Sequence, residues 1–402
     1  MFENILGQPY IIERLIQDLE NDTLPSSLLF YGSPYSGKLT TALELARILT
    51  CKRKGDWICS CSECEQQRLL LHPETIMLGK RYFMREISAC AEVFKQYQKQ
   101  FAQYMFIRSV RKLTRRFHQD FLDESAKSNA IISQAQGLEE IIEEISPPNP
   151  FPEKKKIDKL IGKIISNSEK LAAHIPDSGI PVDQVRRLSY WTHTTSASRG
   201  KIIILENADA LLESSRNALL KILEEPPEKV HFILLSQRKS SIMPTILSRV
   251  RPYAFLQRDE KSSGEVLRRI FREESNTYAT LQEYFLASGN IDPVHLHNVT
   301  EKYISFLTEG GYTEDIYDVI EEISGASKEK TGGLCYLEEL LRRLQIVLRT
   351  KITEHYQDPL FFNKLHCSAD LLHHWQRNIV LLNMQPQKSV ETVLYKMIEV
   401  FR

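Results

Sequence analysis

The stretch LLFYGSPYSGKLTTALELARIL, residues 28–49, constrains this chain's fold more than any other. A short apolar run leads into a loop bounded by Gly32 and Gly37. Beyond it, Leu39, Leu43, Ala46 and Leu49 follow at helical spacing. Strand, loop and helix in this order make a phosphate cradle: successive backbone N–H groups face the anion and the helix N-terminus adds partial positive charge. Lys38 supplies a full charge for the β- and γ-phosphates. The pattern G-x-x-x-x-G-K-[ST] asks for a hydroxyl after the lysine to hold Mg²⁺, and this chain has Leu39 there. Thr40 comes one residue late, and one residue turns a helix by about 100°, so its hydroxyl is expected to point elsewhere.

A second station is expected at the carboxyl edge of another strand, where open α/β sheets bind ligands. KIIILENADAL, residues 201–211, fits, and Glu206 ends its apolar run. Hydrolysis at such a site calls for two adjacent acids, one for the metal and one to position water. Here Asn207 follows Glu206, and an amide is no general base. The nucleotide-site candidates are therefore Gly32, Gly37, Lys38, Thr40 and Glu206, with ATP or ADP as ligand and Mg²⁺ binding weakened.

Four of the seven cysteines fall within CKRKGDWICSCSEC, with Cys51, Cys59, Cys61 and Cys64 spaced C-x7-C-x-C-x2-C. In a reducing compartment a cluster this tight reads as one structural, tetrahedral Zn²⁺ site; free reduced thiols are the alternative. Cys90, Cys335 and Cys367 are scattered and read as packing residues. The opening MFENILGQPY has neither a basic n-region nor an apolar h-region, and no apolar run approaches about 18 residues, so a cytoplasmic protein without a membrane span is expected. Basic and acidic residues balance at 52 each, which confines any nucleic-acid contact to a local patch.

Together with these features, FENILGQ at the start, HPE at 72–74, NALLKILEEPP at 217–227 and PTILSR at 244–249 resemble bacterial clamp-loader subunits. The resemblance is to the delta-prime and gamma/tau type of the DNA polymerase III holoenzyme, within the AAA+ family. It covers residues 1–79 and 180–256 well and residues 257–402 weakly. It implies an α/β AAA+ P-loop module over 1–256, a small helical lid over 257–312 and an all-α collar over 313–402 that joins a ring of subunits. Such a ring loads a sliding clamp onto primed DNA using ATP. The implied partners are the delta and gamma/tau subunits, the clamp and, through the assembly, the DNA. Ser248-Arg249-Val250 matches the family's Ser-Arg-Cys motif, whose arginine reaches a neighbouring subunit's γ-phosphate. Gln237 lies near the sensor threonine, Asp292 stands where hydrolysing relatives carry a sensing arginine, and Asn383 falls in the last collar helix region. Leu39, Asn207 and Asp292 weaken chemistry in cis while Arg249 keeps service in trans, as in delta-prime. An ATP-hydrolysing gamma/tau-type subunit and a purely structural ring scaffold are the alternatives.

Residues 80–178 have no counterpart in the resemblance. Phe83, Ile87, Cys90, Phe94, Tyr97, Phe101 and Tyr104 alternate four and three apart and predict one long helix over 83–117. Ile131, Ala135, Leu138, Ile142 and Ile145 predict its acidic partner over 119–146, giving a hairpin about 50 Å long. SPPNPFPE at 146–153 ends it, and a third helix is expected over 154–172. Residues 80–118 carry ten Lys/Arg and two Glu. Lys95, Lys99, Arg108, Arg111, Arg115 and Arg116 either contact DNA phosphates or pair with the acidic helix, the second reading being favoured.

Overall fold

A computed structural model describes residues 1–402 except 148, 150–152, 177–178, 196–198, 276, 290, 310–312, 327–332, 355–356, 382–385 and 402. Asn383 lies outside the described residues, as does much of the 146–153 stretch. The chain divides into two compact units, Met1–Phe285 and Leu286–Arg402.

The first unit is built on five strands: β1 (Ser27–Gly32), β2 (Thr75–Leu78), β3 (Lys201–Leu205), β4 (Val230–Ser236) and β5 (Arg251–Phe255). Their order is β2-β3-β4-β1-β5, and every pairing is parallel. A parallel sheet is covered on both faces, so its strands read as unbroken apolar runs. Ile76, Ile203, Leu205, Phe232 and Leu234 belong to the core on one face. Met77, Ile202, Ile204, Ile233 and Phe30 belong to the core on the other. The helices of this unit are α1 (Pro9–Glu20), α2 (Lys38–Thr50), α3 (Ser62–Arg68), α4 (Phe83–Tyr97), α5 (Gln100–Thr114), α6 (Ala126–Glu144), α7 (Lys154–Ala172), α8 (Val182–Thr192), α9 (Glu213–Glu224), α10 (Pro244–Leu247) and α11 (Glu260–Val266), followed by α12 (Leu281–Ser288), which crosses the division.

The excursion between β2 and β3 is helical, as expected, but its first arm is not one long helix. Gln98 adopts a left-handed conformation (φ 45°) at the C-terminus of α4, so α5 folds back and packs along α4. The turn resets the helical register. Phe94 stacks on Phe106 with ring centroids 5.9 Å apart, and Ala102, Phe106, Val110 and Leu113 carry the core onward. Tyr104 leaves the expected seam and donates from its hydroxyl to the Arg68 carbonyl at 2.6 Å. No glycine or proline marks this break, which is why periodicity alone ran through it. α7 spans the expected 154–172, whereas α6 begins seven residues after the expected 119, beyond a 3₁₀ turn at Gln119–Phe121. Ile131, Ala135, Leu138, Ile142, Ile145, Ile157, Leu160, Ile161 and Ile164 all join the same core.

Two glycines root the excursion. Gly79 (φ +100°) would place a Cβ 2.2 Å from the Glu206 carbonyl oxygen, and Gly179 (φ +85°) would place one 2.5 Å from that of Ala210. No other residue tolerates both the backbone and the approach.

The second unit contains α13 (Pro293–Glu309), α14 (Thr313–Ala326), α15 (Gly333–Glu354), α16 (Pro359–Leu381) and α17 (Pro386–Phe401). Leu337, Leu340, Leu341, Leu344 and Leu348, at helical spacing along α15, lie inside this unit's own core. Asp292 accepts from the Val294 N–H at 2.9 Å, capping the start of α13. Cys90 is buried in the core of the excursion, whereas Cys367 is exposed and is no packing residue. No helix among the described residues is long and apolar enough to cross a membrane.

Candidate functional site

The phosphate loop forms at the carboxyl end of β1, between β4 and β5. Gly32 needs its glycine because a Cβ would sit 2.1 Å from the Phe255 carbonyl oxygen. Gly37 starts α2 from a left-handed conformation (φ +99°). Lys38 turns back over the loop: its Nζ donates to the carbonyls of Gly32 and Ser33, both at 2.6 Å, and to Ser36 Oγ at 3.3 Å. Burial lowers its pKa to about 8, against the opposing pull of Glu206 and Asp209. Leu39 is buried in the sheet core and Thr40 is exposed, so neither offers the loop a metal ligand.

Glu206 ends β3 at the expected edge and is 9% exposed. Its partners come from the excursion. Arg116, just past α5 and 3% exposed, donates through Nη2 to Glu206 Oε1. Arg81, just after β2, lies 3.7 Å from the other carboxylate oxygen. Arg81 also pairs with Glu86 at 2.8 Å, and Lys112 closes on the same Glu86. Burial works against ionisation of Glu86, yet Lys112 and Arg81 hold its pKa down at about 2. Arg258 completes the mouth, donating to the carbonyls of Leu6, at 3.2 Å, and Tyr35. Asn207 turns away in a left-handed conformation and donates to the Lys80 carbonyl at 2.8 Å.

Arg116, expected to meet DNA or the acidic helix, meets Glu206 instead. The basic residues of the excursion neither face outward together nor chiefly meet the acidic helix. Arg108 and Arg111 donate to the carbonyls of Arg68 and Leu69, and Arg115 donates to that of His72. Arg111 alone among the six takes an acid on α6, meeting Glu139 at 3.0 Å. Lys95 pairs with Glu92 on its own helix, and Lys99 is exposed. The basic run fastens the excursion to the segment around α3 and to Glu206.

A Mg²⁺ ion does not fit at Glu206: it demands oxygen ligands in octahedral array, and this carboxylate already carries the Arg116 guanidinium. Four buried polar atoms on the loop and on the segments carrying Glu206 and its arginines have no hydrogen-bond partner: Ser33 Oγ, Arg81 Nη1, Arg116 Nη1 and Asp209 Oδ1. Each such atom costs about 1–3 kcal/mol if left unsatisfied.

The four cysteines do come together. All four Sγ atoms lie within 4.8 Å of one another, with Cys51 3.6 Å from Cys59 and 3.9 Å from Cys61. Tetrahedral Zn²⁺ with bonds of about 2.3 Å sets its sulfurs about 3.8 Å apart, so the donor set fits. The residue that organises it lies outside the cysteine motif. Arg47, buried on α2, donates twice to Glu44, at 3.0 and 2.6 Å, and also to the carbonyls of Gly55 and Asp56. Its remaining bond goes to Cys64 Sγ at 3.2 Å, a contact that would orient a metal-bound thiolate. Arg68 donates to the Cys59 carbonyl at 2.6 Å, and Arg199 to that of Cys51 at 3.0 Å.

Ser248 and Arg249 end α10 at the surface. Arg249 donates to Glu224 Oε1 at 2.6 Å, to the Thr245 carbonyl at 2.7 Å and to Ser248 Oγ at 3.2 Å. Its side chain is 31% exposed. Gln237 is exposed beyond β4.

Comparison with known proteins gives these features a context. The family model described as DNA polymerase III, delta subunit, matches residues 7–141 and 154–259. The chain is 36% identical over 111 residues to the DNA polymerase III subunit delta' of Pseudomonas aeruginosa, covering 27% of this chain and 33% of that protein. It is 34% identical over 193 residues to the subunit gamma of Buchnera aphidicola subsp. Acyrthosiphon pisum, covering 42% and 52%. A solved DNA polymerase III gamma subunit-related protein from Thermotoga maritima aligns at 18% identity and a TM-score of 0.28, covering 55% of this chain and 80% of that one. The chain thus spans about half or less of the length of these sequence relatives. Because the family model extends over more than half of its residues, the protein belongs to the DNA polymerase III delta-subunit family, among the clamp-loader subunits.

Proposed function

We propose that this chain is a delta-prime-like subunit of a clamp loader: a ring member that lends Arg249 to a neighbour's nucleotide and hydrolyses little ATP itself. The observation that carries the reading is the contrast between two sites. At its own loop, Leu39 is buried and Arg116 sits on Glu206, whereas Arg249 waits at the surface on a half-exposed glutamate. In this reading residues 1–256 are the AAA+ module, 257–312 the lid and 313–402 the collar. The cysteine cluster holds a structural Zn²⁺ whose closed shell leaves no open position for substrate. The partners are the delta and gamma/tau subunits, the sliding clamp and, through the assembly, primed DNA.

The test is Arg249→Ala in the reconstituted loader with clamp and primed DNA. An arginine finger is worth about 10³–10⁵ in rate at the site it serves, so stimulated hydrolysis there and clamp loading should collapse. The variant should fold normally, because an exposed pair such as Arg249–Glu224 contributes about 0–1 kcal/mol. Unchanged hydrolysis and loading would leave the scaffold alternative standing. ATP turnover by the isolated chain, lost in Lys38→Ala, would favour the gamma/tau-type alternative.

A further inference from the structure

We infer that the guanidinium of Arg116 is a built-in cation of the phosphate-loop pocket, and that the pocket takes the polyphosphate of a nucleotide as a free anion, without a divalent metal. This rests on the reading that the loop keeps its phosphate cradle, and extends it to the form of ligand bound.

Three observations converge. The first is position. Glu206 is the acid from which the pocket would coordinate a metal, and Arg116 meets it directly. Arg116 is held from behind, its Nε donating to the Lys112 carbonyl at 3.1 Å. It is therefore a fixed charge delivered by the excursion, not a mobile surface side chain. The second is unspent hydrogen-bonding capacity. Ser33 Oγ, Arg81 Nη1 and Arg116 Nη1 are buried without hydrogen-bond partners. All three can donate, as an oxyanion requires, whereas the fourth such atom, Asp209 Oδ1, is an acceptor and works against an anion. The third is charge. Lys38 lies near Glu206, Asp209 and Arg258, Arg81 and Arg116 lie on Glu206, and Glu86 meets Arg81 and Lys112, so five cations stand against three carboxylates before any metal enters. A nucleotide triphosphate that has shed its metal carries the added negative charge such a surplus neutralises. Leu39, which costs a P-loop its metal ligand, costs this pocket nothing.

The sign of one substitution separates this arrangement from an ordinary metal site. Where Glu206 serves a metal, Glu206→Gln weakens nucleotide binding. Where it only restrains Arg116, the same change frees a cation and strengthens binding.

The experiment is equilibrium binding of fluorescently labelled ATP to the purified full chain, in EDTA and in Mg²⁺. Wild type should bind as well in EDTA as in Mg²⁺ or better, and Glu206→Gln should bind more tightly in EDTA. Arg116→Gln should lose about 10- to 100-fold in EDTA, the worth of a charge-assisted hydrogen bond. Arg116→Lys should recover part of that loss. Arg116→Gln leaves Glu206 with only the 3.7 Å contact of Arg81 and risks misfolding, so Arg116→Met combined with Glu206→Gln serves as the second variant, checked by circular dichroism. It should bind more weakly in EDTA than Glu206→Gln alone. Binding that requires Mg²⁺, or weakens in Glu206→Gln, overturns the inference. So does a wild-type chain that binds no ATP in either buffer. That last result leaves the proposed clamp-loader role intact, because Arg249 in the assembled loader tests it separately.

Discussion

Replacing Cys64 by serine should empty the cysteine site and open one loop while the sheet stays folded. Cys64 is fully buried and accepts from Arg47; a serine keeps that acceptor but offers no thiolate. A structural Zn²⁺ contributes about 10–16 kcal/mol of apparent binding free energy, or about 3–4 kcal/mol for each of four ligands. One lost ligand therefore weakens metal binding by about 10²- to 10³-fold. The consequence stays local because the core of this module is the four thiols themselves. Between Cys51 and Cys59, Lys52, Arg53, Lys54, Trp57 and Ile58 are exposed, Ile58 at 88%, so no apolar anchor replaces the metal. The assay is metal content by atomic absorption after dialysis, paired with limited trypsin digestion under reducing conditions. Wild type should retain about one zinc per chain and resist cleavage at Lys52, Arg53 and Lys54. Cys64→Ser should lose the metal and be cut there first. Arg47→Met is the informative control: it leaves Glu44 buried without its partner, at a cost of about 3–5 kcal/mol, and should lower the stability of the whole first unit. Wild-type protein purified with zinc present that carries none, yet resists trypsin as well as before, would refute the reasoning.

Two further outcomes follow from the same geometry. Gly79→Ala should destabilise the first unit by more than the ~1 kcal/mol of a simple glycine replacement, since its Cβ would meet the Glu206 carbonyl at 2.2 Å; denaturant unfolding reads this out. Lys38, with its pKa lowered to about 8 in the folded chain, binds fewer protons folded than unfolded between about pH 8 and its ordinary value near 10.5, so its charge weighs against folding below that window and the burden lifts as pH rises through it. Lys38→Met should therefore gain most stability over wild type at pH 7, by at most about 3 kcal/mol, and the gain should shrink by pH 10; a gain constant with pH would contradict the burial argument.

The parts of the molecule legible in the sequence are those whose chemistry is local. The loop around Gly32, Gly37 and Lys38 and the four cysteines are each contiguous, and neighbours in sequence are there neighbours in space. The expectation that residues 80–178 lack a counterpart was wrong: the motifs read from the sequence stop at 79 and resume at 180, but the family model matches residues 7–141 and 154–259, so most of the excursion belongs to the family's own pattern. The left-handed turn at Gln98 was not legible, since glutamine is no breaker and the aromatic period runs straight across it. Arg116 and Glu206 are 90 residues apart, and no spacing rule joins them. Arg47 left a faint trace: an acid and a base at i and i+3 inside the otherwise apolar TALELARIL mark a helix face that buries its charges. What that buried pair holds, the carbonyls of Gly55 and Asp56 and the sulfur of Cys64, only the fold reveals.

Gly79 and Gly179 both press against the same short turn, Glu206 to Leu211. The residues between them, 80–178, thus leave and re-enter the sheet region of the first unit through a single gateway. An appendage hinged in this way is separable in design: it could be excised across a short splice without rethreading a strand, and exchanged between relatives as one piece. Its contribution to the pocket would go with it, because the charge resting on Glu206 belongs to the appendage and not to the scaffold. Subunits built on one common sheet could then differ in the ions they favour simply by what is grafted at that gateway.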